Sequence, residues 1–112
     1  LNQRADKKAM NDLQTLAKDT RTLYGAEAKY LVAQQLYKAG EYTAAEKEIL
    51  NFIDQSTPHA YWLARSFVLL SDVYVAMDKK LDARQYLLSL QQNYHADDDI
   101  EQMINERLEK LK

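Results

Sequence analysis

A small residue, a large apolar one four places on and another three places later form a pattern that this chain repeats three times. It occurs as Ala9, Leu13, Leu16, as Ala45, Ile49, Phe52, and as Ala83, Leu87, Leu90. Residues so spaced share one face of an α-helix, because about 3.6 residues complete a turn. Ala9 to Ala45 is 36 residues and Ala45 to Ala83 is 38, the kind of interval that marks a repeat array. A repeat unit cannot bury its apolar face alone, so the pattern predicts stacked helix pairs in which each pair completes the core of the next. The chain has two glycines and one proline in 112 residues. So few breakers predict an all-α chain of about six helices joined by short turns.

A net charge of −2, with lysines and glutamates interspersed, gives no electrostatic footprint for nucleic acid or an anionic membrane. The absence of cysteine excludes disulfides and thiolate chemistry and fits the cytoplasm and the periplasm equally. No segment approaches the ~18 apolar residues of a membrane span or shows the apolar core of a signal peptide. Because it begins with Leu1 rather than Met, the chain reads as an excised or processed piece.

Helical spacing places the first helix at Asn2 to Asp19, with Ala9, Leu13, Leu16 and Ala17 toward the core, and a turn from Thr20 to Gly25. The second helix, Ala26 to Ala39, carries Ala28, Leu31, Val32 and Leu36 and stops at Gly40, where a left-handed residue costs nothing. A third, Glu41 to Gln55, buries Ala45, Ile49, Phe52 and Ile53. Thr57 is the expected N-cap of the fourth, with Pro58 at its first helical position, and this apolar helix runs to Met77. After a turn at Asp78 to Lys80 the fifth helix runs to Asn93. Asp97, Asp98 and Asp99 supply the N-cap of the sixth, whose stripe of Ile100, Met103, Ile104, Leu108 and Leu111 suits a helix that covers the end of a stack.

These residues resemble the tetratricopeptide repeat, a helix-turn-helix unit of about 34 residues. The segment from Ala26 to Pro58 carries the resemblance in Val32, Ala33, Leu36, Tyr37, Gly40, Glu41, Tyr42, Ala45, Ile49 and Pro58. The segment from Tyr61 to Tyr94 follows it through Phe67, Leu70, Ser71, Tyr74, Ala83, Leu87 and Leu90, but Asp78 stands where the turn glycine is expected. The stretch from Tyr61 through Asp99 is also similar to tetratricopeptide proteins common in Bacteroidetes. The resemblance implies antiparallel helix hairpins stacked as a right-handed superhelix. It divides the chain into residues 1–24 as the second half of a truncated repeat, 25–58 and 59–95 as full repeats, and 96–112 as a C-terminal capping helix. Ala33, Ser71, Ala45 and Ala83 become the small residues where paired helices approach closely.

The resemblance further implies a concave groove lined by the first helix of each pair, in which a partner peptide or helix lies. Carried over by position, its lining residues are Glu27, Tyr30, Gln34, Tyr37 and Lys38, then Arg65, Val68, Asp72, Val75 and Ala76. Tyr30 and Tyr37 suit a binding surface, their rings apolar and their tips polar; the alternative is that they pack between repeats. The members of the family that grip chaperone C-terminal carboxylates need Lys, Asn and Arg at groove positions. Here Tyr30, Gln34 and Leu69 stand there, so chaperone-tail binding is not implied.

Trp62, with Tyr61 and His59, is read either as an aromatic contact site or as a core anchor. His59 and His95 do not share the spacing that puts two imidazoles on one helix face, and the run of three aspartates lacks the glycine and distal glutamate of a calcium loop. No nucleophile elbow or phosphate loop is present. The expectation is therefore a non-catalytic scaffold that takes a protein or peptide partner, with no cofactor, metal or nucleic acid. The alternative is a structural spacer or self-association segment of a larger repeat protein.

Overall fold

The computed structural model describes residues 3–112. These form six helices: α1 (Gln3–Leu16), α2 (Leu23–Lys38), α3 (Tyr42–Asp54), α4 (Ala60–Ala76), α5 (Lys80–Asn93) and α6 (Ile100–Lys110). The chain is all-α, and its helices pack as successive hairpins. Helix α4 touches both α2 and α6, so these three form one layer. From the other side α1 packs on α2, α3 on α2 and α4, and α5 on α4 and α6.

Each junction has its own apolar cluster. Ala17, Ala28 and Val32 join α1 to α2, with Met10 and Leu13 partly buried against them. Ile49, Leu70 and Val73 centre the cluster of α2 to α5, and Leu87, Ile100 and Ile104 that of α4 to α6. Ala33, Ala45, Ser71 and Ala83 are all at most 1% exposed, so the small residues lie where backbones approach and leave no room for a larger side chain. Lys29 is also buried, its Nζ 2.6 Å from Glu48 Oε1 and 2.8 Å from Asn51 Oδ1, which ties α2 to α3.

The second and third copies of the opening pattern are buried throughout, but the first is not. Ala9 faces solvent and Leu16 is 52% exposed, leaving Leu13 and Ala17 to face the core. The cause is packing: among the described residues α1 meets α2 alone, whereas α3 and α5 each lie between two neighbours.

Several helix ends differ from expectation. Helix α2 starts three residues early because Thr22, in extended conformation, caps it by accepting a hydrogen bond from Gly25 N at 2.9 Å. Gly25 is thus helical rather than part of the turn. Helix α4 starts at Ala60, two residues late, with His59 in the cap position and no side-chain cap. Thr57 is drawn elsewhere: its hydroxyl donates to the Thr20 carbonyl at 2.5 Å and accepts from His59 N at 3.2 Å. Gly40 ends α2 as expected, at φ 80°, with Glu41 N donating to Leu36 O. Asp78, 38 residues on, adopts φ 60° and makes the same closure, Lys79 N donating to Tyr74 O. The backbone geometry repeats where the residue type does not. At α6 it is Asp98 Oδ1 that accepts from Ile100 N, at 3.0 Å, while Asp99 accepts from the Tyr61 hydroxyl.

No helix among the described residues is long and apolar enough to cross a membrane.

Candidate functional site

The face made by α2, α4 and α6 holds two shallow depressions, of about 180 and 590 Å³. Both are lined by Tyr37, Asp72 and Arg107, so they form one trough. The smaller one brings together Tyr30, Gln34, Tyr37, Lys38, Arg65, Val68 and Asp72, and Val75 and Ala76 line the larger. Glu27 lines neither. The helical period explains the gathering, since Tyr30, Gln34 and Tyr37 recur at four and three residues along α2, as do Arg65, Val68 and Asp72 along α4.

These residues differ in what they can offer. Tyr30 is 5% exposed and Val68 3%, so they belong to the floor. For Tyr30 this corrects its placement as an open binding surface: its ring packs on Trp62, with centroids 5.6 Å apart, and a guanidinium covers it. That guanidinium is Arg65, whose Cζ lies 4.9 Å from the Tyr30 centroid. Arg65 donates to the Tyr30 hydroxyl at 3.1 Å and to the Tyr61 hydroxyl at 3.0 Å. Tyr37 is half-buried and stacks at a tilt on Tyr42, 5.8 Å away. Burial, and then the nearby Asp72 carboxylate, raises the Tyr37 phenol above its ordinary value. Lys38 is exposed.

Two features of the trough had no sign in the spacing of α2 and α4. Arg107, on α6, reaches across to Asp72 and forms a two-pronged ion pair, Nε to Oδ1 at 3.0 Å and Nη2 to Oδ2 at 3.1 Å. Met103 of the same helix completes the smaller depression. The sixth helix therefore does more than close the stack; it forms one wall of the trough. The only available hint was that Arg107 lies 35 residues after Asp72, the same separation as Arg65 from Tyr30.

The remaining candidates fall outside the trough. Trp62 packs against the central cluster, in an edge contact with Tyr61. His59 Nε2 lies 2.9 Å from the Arg21 carbonyl and His95 Nε2 3.0 Å from that of Gln92, each at a helix end. Among the described residues no group of three or more metal-ligating side chains converges.

Tyrosines also link the helix ends. Burial first, and then the Asp98 carboxylate that accepts its proton at 2.5 Å, raise the Tyr94 phenol to about 12. Burial and then Glu46 push Tyr74 up as well. A raised phenol means that the folded chain holds the neutral form more tightly than the unfolded chain does. This stabilisation is complete below the unfolded value near 10 and is lost as pH rises through the folded value. The midpoint of urea unfolding should therefore fall between about pH 10 and 12, with Tyr94→Phe losing part of that fall. A midpoint that stays flat while phenolate absorbance rises would contradict the assignment.

No family model, curated protein or solved structure matches this chain.

Proposed function

We propose that this chain is a tetratricopeptide-type interaction module that holds a peptide or helix of a partner protein in the trough of α2, α4 and α6 and carries out no chemistry of its own. The observation that supports this reading most is the convergence of seven of the ten expected contact residues on one depression, open to solvent and walled by three separate helices. The repeat spacing supports it as well. Short turns and packing between neighbours hold such a surface in place, so binding costs the receptor little ordering.

The test uses residues that can change without emptying the core. Tyr30→Ala is unsuitable, because that ring is buried under Arg65 and against Trp62. Tyr37→Ala with Lys38→Ala alters the half-buried and exposed wall instead. Capture from cell lysate with this double variant should lose a partner that the parent retains, while Leu81→Ser, at an exposed position on α5, should keep it. Equal retention by both would favour the spacer reading. That alternative has its own support in Leu16, Leu23 and Tyr24, three large apolar residues more than half exposed within nine positions at the α1–α2 connection. It predicts self-association, lost on Leu23→Glu and read by sedimentation velocity.

A further inference from the structure

The trough carries more positive charge than it can neutralise. Lys38, Arg65, Lys80, Arg107 and Lys110 line it, against Asp72 and Glu106. That is a balance of +3 in a chain of net charge −2, so the remainder of the molecule carries −5. Of the five cations only Arg107 has a carboxylate at ion-pair distance among the described residues. Charge of one sign gathered in a cleft focuses its field there and steers an oppositely charged partner toward it.

Arg65 is the most organised of these cations. Its guanidinium rests on the Tyr30 ring and lies 5.9 Å from the centroids of Tyr61 and Trp62. Two hydroxyl acceptors use two of its five N–H donors, and three remain. The Tyr30 oxygen accepts from Arg65 and also from Gln34 Nε2 at 3.2 Å. With the Gln34 amide so placed, both lone pairs of the phenol are filled and its own proton has no acceptor among the described residues. The spot presents donors and positive charge with no anion, on a side chain already held in one orientation, so little rotamer entropy is lost on pairing.

We propose that the trough takes an acidic segment of a partner protein, with one carboxylate seated on the free edge of Arg65 beside the Tyr30 hydroxyl and others near Lys38 and Lys110. This rests on the reading of the trough as a protein-binding surface and names the chemistry of the partner. Tyr37, Val75 and Met103 give the walls an apolar component, so the segment that fits alternates acidic and apolar residues. A nucleic acid suits the trough less well. The Tyr30 face that would stack a base is buried beneath Arg65 and that of Tyr37 is partly taken by Tyr42, and the surface beyond the trough, at −5, repels a polyanion longer than the trough itself.

The test is fluorescence anisotropy with labelled peptides of about twelve residues, roughly 40 Å when extended, which matches the 41 Å long dimension of the molecule. One peptide alternates Glu with Leu and Ser; in the others Gln or Lys replaces Glu. The Glu peptide should bind, with affinity falling as salt is added. Arg65→Gln should weaken it about tenfold at unchanged helicity, and Arg65→Lys should recover only part, since a point charge replaces the fork. Lys38→Ala and Lys110→Ala, at exposed positions where folding is not at stake, should each weaken it about threefold. If the Gln peptide binds as tightly as the Glu peptide and Tyr37→Ala abolishes both, the trough remains a protein site but its acidic preference is overturned. If no peptide binds, both readings fail. A single-stranded oligonucleotide that binds more tightly than the Glu peptide, with the same sensitivity to Arg65→Gln, would overturn the choice of partner.

Discussion

Leu87→Ala is expected to cost about 2–5 kcal/mol. Leu87 is 0% exposed and lies in the cluster that joins α4, α5 and α6, with Ala64, Val68, Leu90, Ile100 and Ile104 around it. Its truncation removes apolar atoms from water-free contact and leaves a void that three separate helices would have to move to fill. A domain of this size has roughly 5–15 kcal/mol in all, so the loss should lower the melting temperature by about 10 °C or more. The damage should be greatest in α6, which depends on Ile100 and Ile104 meeting this cluster, and amide exchange there should accelerate before that in α2 or α3. Leu81→Ala, at a position 82% exposed, is the control and should change stability by no more than about 0.5 kcal/mol. Equal melting of the two variants would contradict the packing of the C-terminal half. Because α6 supplies Arg107 and Met103 to the trough, Leu87→Ala should also weaken any ligand, although it touches none.

Gly25→Ala should be as severe, for a different reason. A Cβ at this position would lie 1.8 Å from the Asp19 carbonyl oxygen and 2.7 Å from Thr22 Oγ1. The first is backbone and the second is the cap of α2, so neither can rotate out of the way. To admit the methyl group the α1–α2 turn must open. That breaks the Thr22 hydroxyl bond to Asp19 O at 3.0 Å and strains the links of the turn to the α3–α4 connection, where Thr20 donates to Gln55 Oε1 at 2.6 Å. Overpacking of this kind costs about 1–3 kcal/mol, and an approach of 1.8 Å to a backbone oxygen places this case at the upper end of that range. Helix α1, which among the described residues packs on α2 alone, should detach first. Its amides should lose protection while those of α4 and α5 keep theirs, and a variant that melts with the parent would contradict the close approach. In an ordinary first helical turn the same substitution would be favourable, because alanine is the better helix former; the sign of the effect therefore tests the geometry directly.

Much of the fold could be read from the residues themselves. The recurring small and large apolar positions give helical faces, their interval gives the repeat, and glycine at position 40 marks the end of α2. Ala33, Ala45, Ser71 and Ala83 were legible as close contacts through the tetratricopeptide resemblance, which implies small residues where paired helices meet. The gathering of Tyr37, Lys38, Arg65 and Asp72 on one face was legible through the same resemblance, and helical spacing accounts for the part of it that lies within each helix. Periodicity does not report how much of a face is covered, since that depends on the number of neighbours. Leu16 and Phe52 occupy equivalent places in the pattern, yet Leu16 is half exposed and Phe52 is fully buried.

What the sequence determined by itself is what depends on local spacing: helices rather than strands, their number, their pairing into hairpins and, from α2 onward, the side of each that turns inward. Local backbone and side-chain preferences act over a few residues, so a single chain displays them openly. Tertiary structure alone decided the burial of Tyr30 beneath Arg65, the reach of Arg107 from α6 to Asp72, the salt-bridged Lys29 and the demand for glycine at position 25. Each arises between groups brought together by the stacking of hairpins, or by a turn that folds back on its own carbonyl. Asp78 shows the same division in reverse. It departs from the glycine of the repeat pattern, but the packing of α5 against α4 needs the chain to reverse there, and the backbone takes that shape with aspartate, a residue that tolerates a left-handed conformation.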